Sequence, residues 1–244
     1  MTATKSERIV EALVSAYKTE LRRDFLALTL QTDIHSSYRD IDYAVFLKNI
    51  NGGIYETIAR INTRLEKKYG TTLDIFLYEA KGFRKSVNPW SVEIVRRNTQ
   101  AIYGKNFWRS LSYKPRQIMN GAFVYLEENR EKFLRYLKNI SRQRGDWITV
   151  WALDHLFVTV KIYNSLFGFW SLGKERNLRE FQQVNPQLAR RLAAVYKLRH
   201  KAVKKGPLHY LAQCYALSER ISALAQKTTL HSFLSSYKRE PAVN

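Results

Sequence analysis

Three apolar runs of β-strand length lie between residues 25 and 78, and they constrain the fold more than any other feature. They are Phe25–Leu30, Asp40–Leu47 and Leu73–Tyr78. Helical periodicity surrounds them, with one apolar stripe over residues 5–24 and another over 54–69, which Gly70 ends. Asn88-Pro89 opens a further predicted helix that runs to Tyr103. Helices alternating with short strands predict an α+β domain, with a small mixed sheet flanked by helices.

From Pro115 onward the pattern is helical nearly throughout. The predicted helices are 116–140, 146–168, 175–183, 186–202, 207–226 and 229–237. This second part is therefore predicted to be an all-α helical bundle. The change of pattern near Gly104–Pro115 predicts two domains, residues 1–108 and 109–244.

Positive charge is concentrated in the second part of the chain. The net charge is 41 − 21 = +20, made of 16 − 12 = +4 in residues 1–104 and 25 − 9 = +16 in residues 105–244. Such an excess favours a polyanionic partner, such as nucleic acid or a nucleotide. Four basic residues share a face of one predicted helix: Arg190, Lys197, Lys201 and Lys204. That face is either a solvated surface or a contact surface for a phosphate backbone.

Composition excludes several classes of protein. A hydrophobic content of 45%, with 13% aromatic residues, excludes disorder as the main state, and a single cysteine excludes a disulfide framework or a multi-cysteine zinc site. No run approaches eighteen apolar residues and charges interrupt the N-terminal stripe, so we expect neither a membrane span nor a signal peptide. A cytoplasmic location follows as the expectation, and a homo-oligomer is compatible with the sequence.

The carboxylates in the strands are the most informative candidates for chemistry. Asp40 and Asp42 are two apart in one strand, and the two-residue period places both on the same face. Asp74 interrupts an apolar run, which is costly unless the charge is paired, metal-bound or at an exposed edge. If the two strands pair, the three carboxylates converge and could hold two Mg²⁺ ions for phosphoryl or nucleotidyl transfer. The alternative for Asp40 and Asp42 alone is a solvated turn.

Two other sets of residues allow a different chemistry. Asp42 with Glu79 and Lys81 is compatible with a metal-dependent nuclease, although Glu79 and Lys81 also suit the solvated end of a strand. His155 lies inside an apolar predicted helix, where a core histidine is more typical than a catalytic base.

The acidic motifs resemble those of a known superfamily. Asp40-Ile41-Asp42, the helix ending Leu65-Glu66-Lys67-Lys68-Tyr69-Gly70, and Leu73-Asp74-Ile75-Phe76-Leu77 look like the minimal nucleotidyltransferase domain of the DNA polymerase beta superfamily. The resemblance covers residues 5–104 and implies transfer of a nucleoside monophosphate from a triphosphate to an acceptor hydroxyl. It implies that Asp40 and Asp42 hold both Mg²⁺ ions, and that Asp74 holds one of them and helps to deprotonate the acceptor.

The helical part would then position the acceptor. Its charge favours an RNA end, such as that of tRNA, or a DNA end over a cationic aminoglycoside.

One motif of that superfamily is missing. Its members normally carry Gly-Ser upstream of the first Asp to hold the triphosphate, but no glycine occurs between residues 1 and 51 here. The available hydroxyls are those of Thr29, Thr32, Ser36 and Ser37. The rival hypothesis is therefore a catalytically degenerate nucleotidyltransferase fold that binds nucleic acid or another partner.

Overall fold

The computed structural model describes residues 4–31, 40–138 and 145–237, without the side chains of residues 40, 137, 138, 145, 146 and 200–205. The chain forms two compact units. The first contains the described residues up to Val87 together with Val95–Ser112, and the second contains Asn88–Ile94 with those from Tyr113 onward. The division at 112/113 lies four residues beyond the predicted one, and the pattern did not predict that Asn88–Ile94 would belong to the second unit.

The first unit is built on a four-stranded mixed sheet, which confirms the predicted fold class. Its elements are α1 (Lys5–Glu20), β1 (Phe25–Leu30), β2 (Asp40–Leu47), α2 (Gly52–Tyr69), β3 (Thr72–Glu79), α3 (Phe83–Ser86), the C-terminal part of α4 (Pro89–Asn98), and β4 (Gln100–Gly104). The strand order is β3-β2-β1-β4. β2 pairs parallel with β3, while β1 pairs antiparallel with both β2 and β4.

The predicted helix over residues 88–103 is wrong in its last turn. The helix ends at Asn98, and residues 100–104 form β4, which pairs with β1 from Ala27 to Leu30. The helical stripe predicted over residues 5–24 is also not one continuous helix. Helix α1 ends at Glu20, and a short 3-10 turn follows at Arg22–Asp24. Pairing with a strand far away in the sequence therefore overrides the local helical pattern.

Helices α1 and α2 cover one face of the sheet. Apolar side chains of both helices form one core with the strand residues of that face, including Leu28, Tyr43, Val45 and Leu73. Because side chains alternate along a strand, the residues between these positions lie on the opposite face. That opposite face carries the positions of Asp40, Asp42 and Asp74.

A polar contact lies inside this apolar core. The hydroxyl oxygens of Tyr17 and Tyr43 are 2.8 Å apart, and each lies 2.7 Å from Asn62 Oδ1, which accepts. Burial raises the pKa of both phenols, so both hydroxyls keep their protons. The three side chains join α1, β2 and α2 at one point.

Replacing Asn62 by Ala should lower the free energy of unfolding by about 1–3 kcal/mol, because two buried hydroxyls lose their common acceptor. Urea denaturation measures the change. The matched control is Thr63→Ala, at the next and exposed position of α2; it should change stability by less than about 0.5 kcal/mol. Equal effects of the two substitutions would contradict the role given to Asn62.

The second unit is helical, as predicted. Besides residues 89–94 of α4, its described helices are α5 (Pro115–Lys138), α6 (Gly145–Leu166), α7 (Lys174–Val184), α8 (Pro186–Lys205), α9 (Pro207–Ala225) and α10 (Leu230–Tyr237). α6 is central, because it packs against α5, α7, α8, α9 and α10. Within the described ranges, every helix is too short or too polar to cross a membrane.

The segment Asn88–Ile94 is fixed within the second unit by a backbone carbonyl of α5 and a side chain of α6. Asn88 Nδ2 donates to the carbonyl of Gly121 at 3.0 Å, and Trp90 Nε1 donates to Ser165 Oγ at 2.8 Å. The close approach needs glycine, since a Cβ on Gly121 would lie 2.7 Å from Asn88 Oδ1. Trp90 is only 4% exposed.

Candidate active site

Two of the three predicted carboxylates are direct neighbours in the sheet. Asp42 of β2 pairs in register with Asp74 of β3, while Asp40 pairs with Thr72 one pleat earlier. All three aspartates occupy positions of the face opposite the core, although the side chain of Asp40 lies outside the described residues. Neighbouring strands are about 4.8 Å apart, so the fold brings the carboxylates of Asp42 and Asp74 close together.

The end of α2 determines which residue of β3 lies opposite Asp42. Gly70 ends the helix in the left-handed conformation at φ 59°, as the sequence predicted. Glu66, in the last turn, accepts the backbone N–H of Leu73 at 2.8 Å. This contact ties Leu73, the residue that precedes Asp74 in β3, to the end of α2. Sequence reasoning missed Glu66, whose only signal was a carboxylate one turn before the terminating glycine.

The carboxylate pair is accessible. Asp42 is half-buried and Asp74 is exposed, whereas Ala44 and Thr29 on the same face are fully buried. Among the side chains that the structure describes, no three His, Cys, Asp or Glu residues form a group suited to a metal ion. Asp42 and Asp74 nevertheless supply the hard oxygen ligands that Mg²⁺ prefers, and the position of Asp40 on the same face is compatible with a third. The donor set therefore fits magnesium.

An aromatic cluster closes the other end of this face. Its rings are those of Phe46, Tyr78, Phe83, Phe107 and Trp108. Phe46 stacks on Phe107 with ring centroids 4.6 Å apart, and Trp108 packs edge-on against Phe83 at 4.9 Å. The cluster fills one end of the face, which leaves the carboxylate end accessible along β3.

Thr29 does not fit the predicted role in nucleotide binding. It is fully buried, and its hydroxyl accepts the indole N–H of Trp108 at 3.0 Å. Its backbone lies between Ala44 of β2 and Ala101 of β4. This burial is incompatible with a contact between Thr29 and a triphosphate. The other predicted hydroxyls, those of Thr32, Ser36 and Ser37, lie outside the described residues.

Replacing Thr29 by Val should leave the affinity for a Mg²⁺-bound nucleotide unchanged within about twofold, while lowering stability by about 1–3 kcal/mol. The reason is that the buried indole N–H of Trp108 loses its acceptor. Calorimetry with a non-hydrolysable ATP analogue and urea denaturation measure the two effects. Thr72→Val, at an exposed position of β3, is the control and should preserve both. A tenfold loss of affinity with unchanged stability would restore the predicted contact.

The residues of the nuclease hypothesis are not brought together. Glu79 pairs with Leu47 at the far end of β3, five positions beyond the row of Asp42 and Asp74. Five residues correspond to about 16 Å along a strand. An odd spacing also places Glu79 on the face opposite Asp74.

Exposed basic residues lie on one side of α8. Leu188, Ala189, Leu192 and Val195 are buried, which places Arg190 and Lys197 on the outer side, where both are exposed. In the described part of the chain neither forms an ion pair. Lys201 and Lys204 belong to the same helix, but their side chains lie outside the description.

His155 is part of a hydrogen-bonded network in the second unit. Its Nδ1 contacts Asn129 Oδ1, and Asn129 Nδ2 donates to Thr159 Oγ1 at 3.0 Å. Burial, together with the nearby charge of Lys132, lowers the pKa of His155 to about 4. The imidazole is therefore neutral at pH 7 and bonded within the core, as the sequence predicted.

Comparison with known proteins finds similarity to a solved structure. No family model matches the chain, and no curated protein matches it. The fold is similar to the crystal structure of spectinomycin adenyltransferase AAD(9) from Enterococcus faecialis with ATP and spectinomycin. The TM-score is 0.57 at 8% sequence identity, over 88% of this chain and 98% of that chain. At this identity the likeness concerns the fold alone.

Proposed function

We propose that this protein is a metal-dependent nucleotidyltransferase, which moves a nucleoside monophosphate from a nucleoside triphosphate to an acceptor hydroxyl. The observation that carries the proposal is the register pairing of Asp42 with Asp74 on neighbouring parallel strands. The pair lies at the accessible end of a sheet face, within a nucleotidyltransferase fold. A purely structural sheet has no need to place two carboxylates side by side, because their charges repel.

Each aspartate has a distinct role in the proposed reaction. Asp40 and Asp42 would hold both Mg²⁺ ions, and Asp74 would hold one of them. Bound Mg²⁺ would supply positive charge that stabilises the attacking and the leaving oxygens. Asp74 helps to take the proton from the acceptor hydroxyl, whose oxygen forms a bond to the α-phosphorus. The bond from that phosphorus to the bridging oxygen breaks, and pyrophosphate leaves with the electron pair.

The charge of the C-terminal part of the chain supports a polyanionic acceptor. Residues 105–244 carry 25 − 9 = +16, which repels a cationic acceptor and attracts RNA or DNA. Arg190 and Lys197 are exposed on α8 and are the described candidates for phosphate contact. We include Lys201 and Lys204 of the same helix in the proposed contact surface.

A transfer assay tests the proposal. Each of the four nucleoside triphosphates, labelled at the α-phosphate, is incubated with Mg²⁺ and with RNA, DNA, a protein mixture or spectinomycin. We expect label on nucleic acid, none when the metal is chelated, and none with Asp40→Ala combined with Asp42→Ala. Absence of transfer to every acceptor, or transfer that survives the double substitution, would overturn the proposal.

A specific observation favours a second candidate function. Glycine is absent between residues 1 and 51, and Thr29 is buried. A fold that has lost its triphosphate site could still bind nucleic acid through α8. This alternative predicts RNA binding that weakens steeply with salt. In Arg190→Ala or Lys197→Ala, the slope of log K against log salt concentration should become shallower by about one unit, because one phosphate contact is lost. Such binding would be indifferent to Mg²⁺ and to Asp42→Ala.

A further inference from the structure

Phe76 is exposed on the same face of the sheet as the carboxylate pair. It lies on β3, two residues beyond Asp74, and pairs in register with Ala44 of β2. The side chain is 45% exposed. The even spacing places Phe76 on the face of Asp74, displaced by about 6.6 Å along the strand.

The aromatic residues nearest to Phe76 in the two strands are packed, whereas Phe76 is not. Phe46 and Tyr78 both belong to the aromatic cluster. Among the described residues, Phe76 makes no ring contact. Its register neighbour Ala44 has a short, fully buried side chain.

Exposure alone is ordinary for a single apolar side chain, but the position of Phe76 is unusual. β3 is an edge strand, and edge strands normally carry charged or otherwise protective residues. Here the exposed position next to the reacting carboxylates is occupied by a flat, rigid ring. Base–aromatic stacking tolerates every nucleobase, because each base has a π-face.

We propose that Phe76 is a stacking platform for the base of a nucleotide whose reacting group lies at Asp42 and Asp74. The inference rests on the proposed nucleotidyl transfer and adds a binding residue to that site. The base can come from the triphosphate, which reacts at its α-phosphate, or from the terminal nucleotide of the acceptor, which reacts at a hydroxyl. Both sources present the same chemistry, a planar ring joined through a sugar to the reacting group at the carboxylates.

Two binding measurements on the full-length protein distinguish the sources. Calorimetry with Mg²⁺ and α,β-methylene ATP gives the affinity for the donor base. Fluorescence anisotropy with single-stranded oligo(A) and oligo(U) RNA gives the affinity for the acceptor base. We expect Phe76→Ala to weaken one of them about tenfold to a hundredfold, the range found when a stacking aromatic is truncated.

Two further variants separate stacking from simple burial. Phe76→Tyr keeps a ring and should retain wild-type affinity, whereas Phe76→Leu keeps apolar surface and should lose most of it. The matched control is Tyr55→Ala, which removes an aromatic ring that is 54% exposed on α2, the helix on the other face of the sheet. This control should bind both probes as the wild type does.

The outcomes separate this inference from the proposed function. If the wild type binds nucleotide and transfers label while Phe76→Ala equals Tyr55→Ala with both probes, the stacking inference is wrong and the proposed function stands. If Phe76→Leu binds as well as wild type, the ring is not a platform. If Phe76→Ala instead changes the sedimentation of the protein, the residue joins copies of the chain and the inference is wrong. If the wild type binds neither probe, both proposals fail.

Discussion

Asp74→Asn is expected to lower kcat for nucleotidyl transfer by about 10³-fold, while the protein stays folded. The amide has the size of the carboxylate, but it lacks the charge that attracts a cation and cannot accept the acceptor's proton. Asp74 is exposed on an edge strand, so the exchange costs little packing. Steady-state kinetics with α-labelled triphosphate measure the loss, and calorimetry with Mg²⁺ and α,β-methylene ATP shows whether binding persists.

Asp42→Asn should have a broader effect than Asp74→Asn. Asp42 is assigned to both metals, so its loss should weaken nucleotide binding about tenfold or more in addition to abolishing turnover. Glu79→Gln is the matched control for both variants, because it neutralises an exposed carboxylate on β3, the strand of Asp74, on the other face of the sheet. It should leave kcat within about twofold of wild type. A protein that is disabled by Glu79→Gln and also cleaves nucleic acid would indicate the nuclease chemistry instead.

Gly104→Ala is expected to lower the free energy of unfolding by about 3 kcal/mol or more. Gly104 has φ 70°, a left-handed conformation that costs any other residue. An added Cβ would lie 2.0 Å from the carbonyl oxygen of Leu26 and 3.0 Å from the Cα of Ala27. Both atoms belong to the backbone of β1, so a side-chain rotation cannot relieve the overlap, and β4 must shift.

Urea denaturation of Gly104→Ala should be compared with that of Gly82→Ala. A Cβ on Gly82 would meet nothing within 4 Å, and its φ of −104° suits any residue. The control should therefore change stability by less than about 1 kcal/mol. A similar small change at Gly104 would mean that β4 is not held against β1 as described.

Local signals predicted the helices well, and long-range contacts account for the errors. The end of α2 at Gly70 and the start of α8 after Asn185 were predicted because each signal lies within a few residues of the boundary; Asn185 Oδ1 accepts the N–H of Leu188 at 3.1 Å. β4 could not be predicted in this way, because its partner strand lies about seventy residues earlier. The local sequence pattern of residues 88–103 contains no information about that pairing.

The candidate site was also predictable only in part. The two-residue spacing placed Asp40 and Asp42 on one face, and the register placed Asp74 beside Asp42. Thr29 failed because its partner, Trp108, lies 79 residues away in the sequence. Counting residues from a motif locates a position along the chain, but burial depends on which distant side chain packs over it.

The division of α4 between the two units limits how this protein can be taken apart. The chain passes from one unit to the other at 87/88, 94/95 and 112/113, so no single cut yields two self-sufficient pieces. A fragment that ends at Ser112 would retain Trp90 without Ser165, and would expose an indole that is 4% accessible in the whole protein. The helical unit therefore cannot be replaced as one continuous segment, because Asn88–Ile94 belongs to it as well.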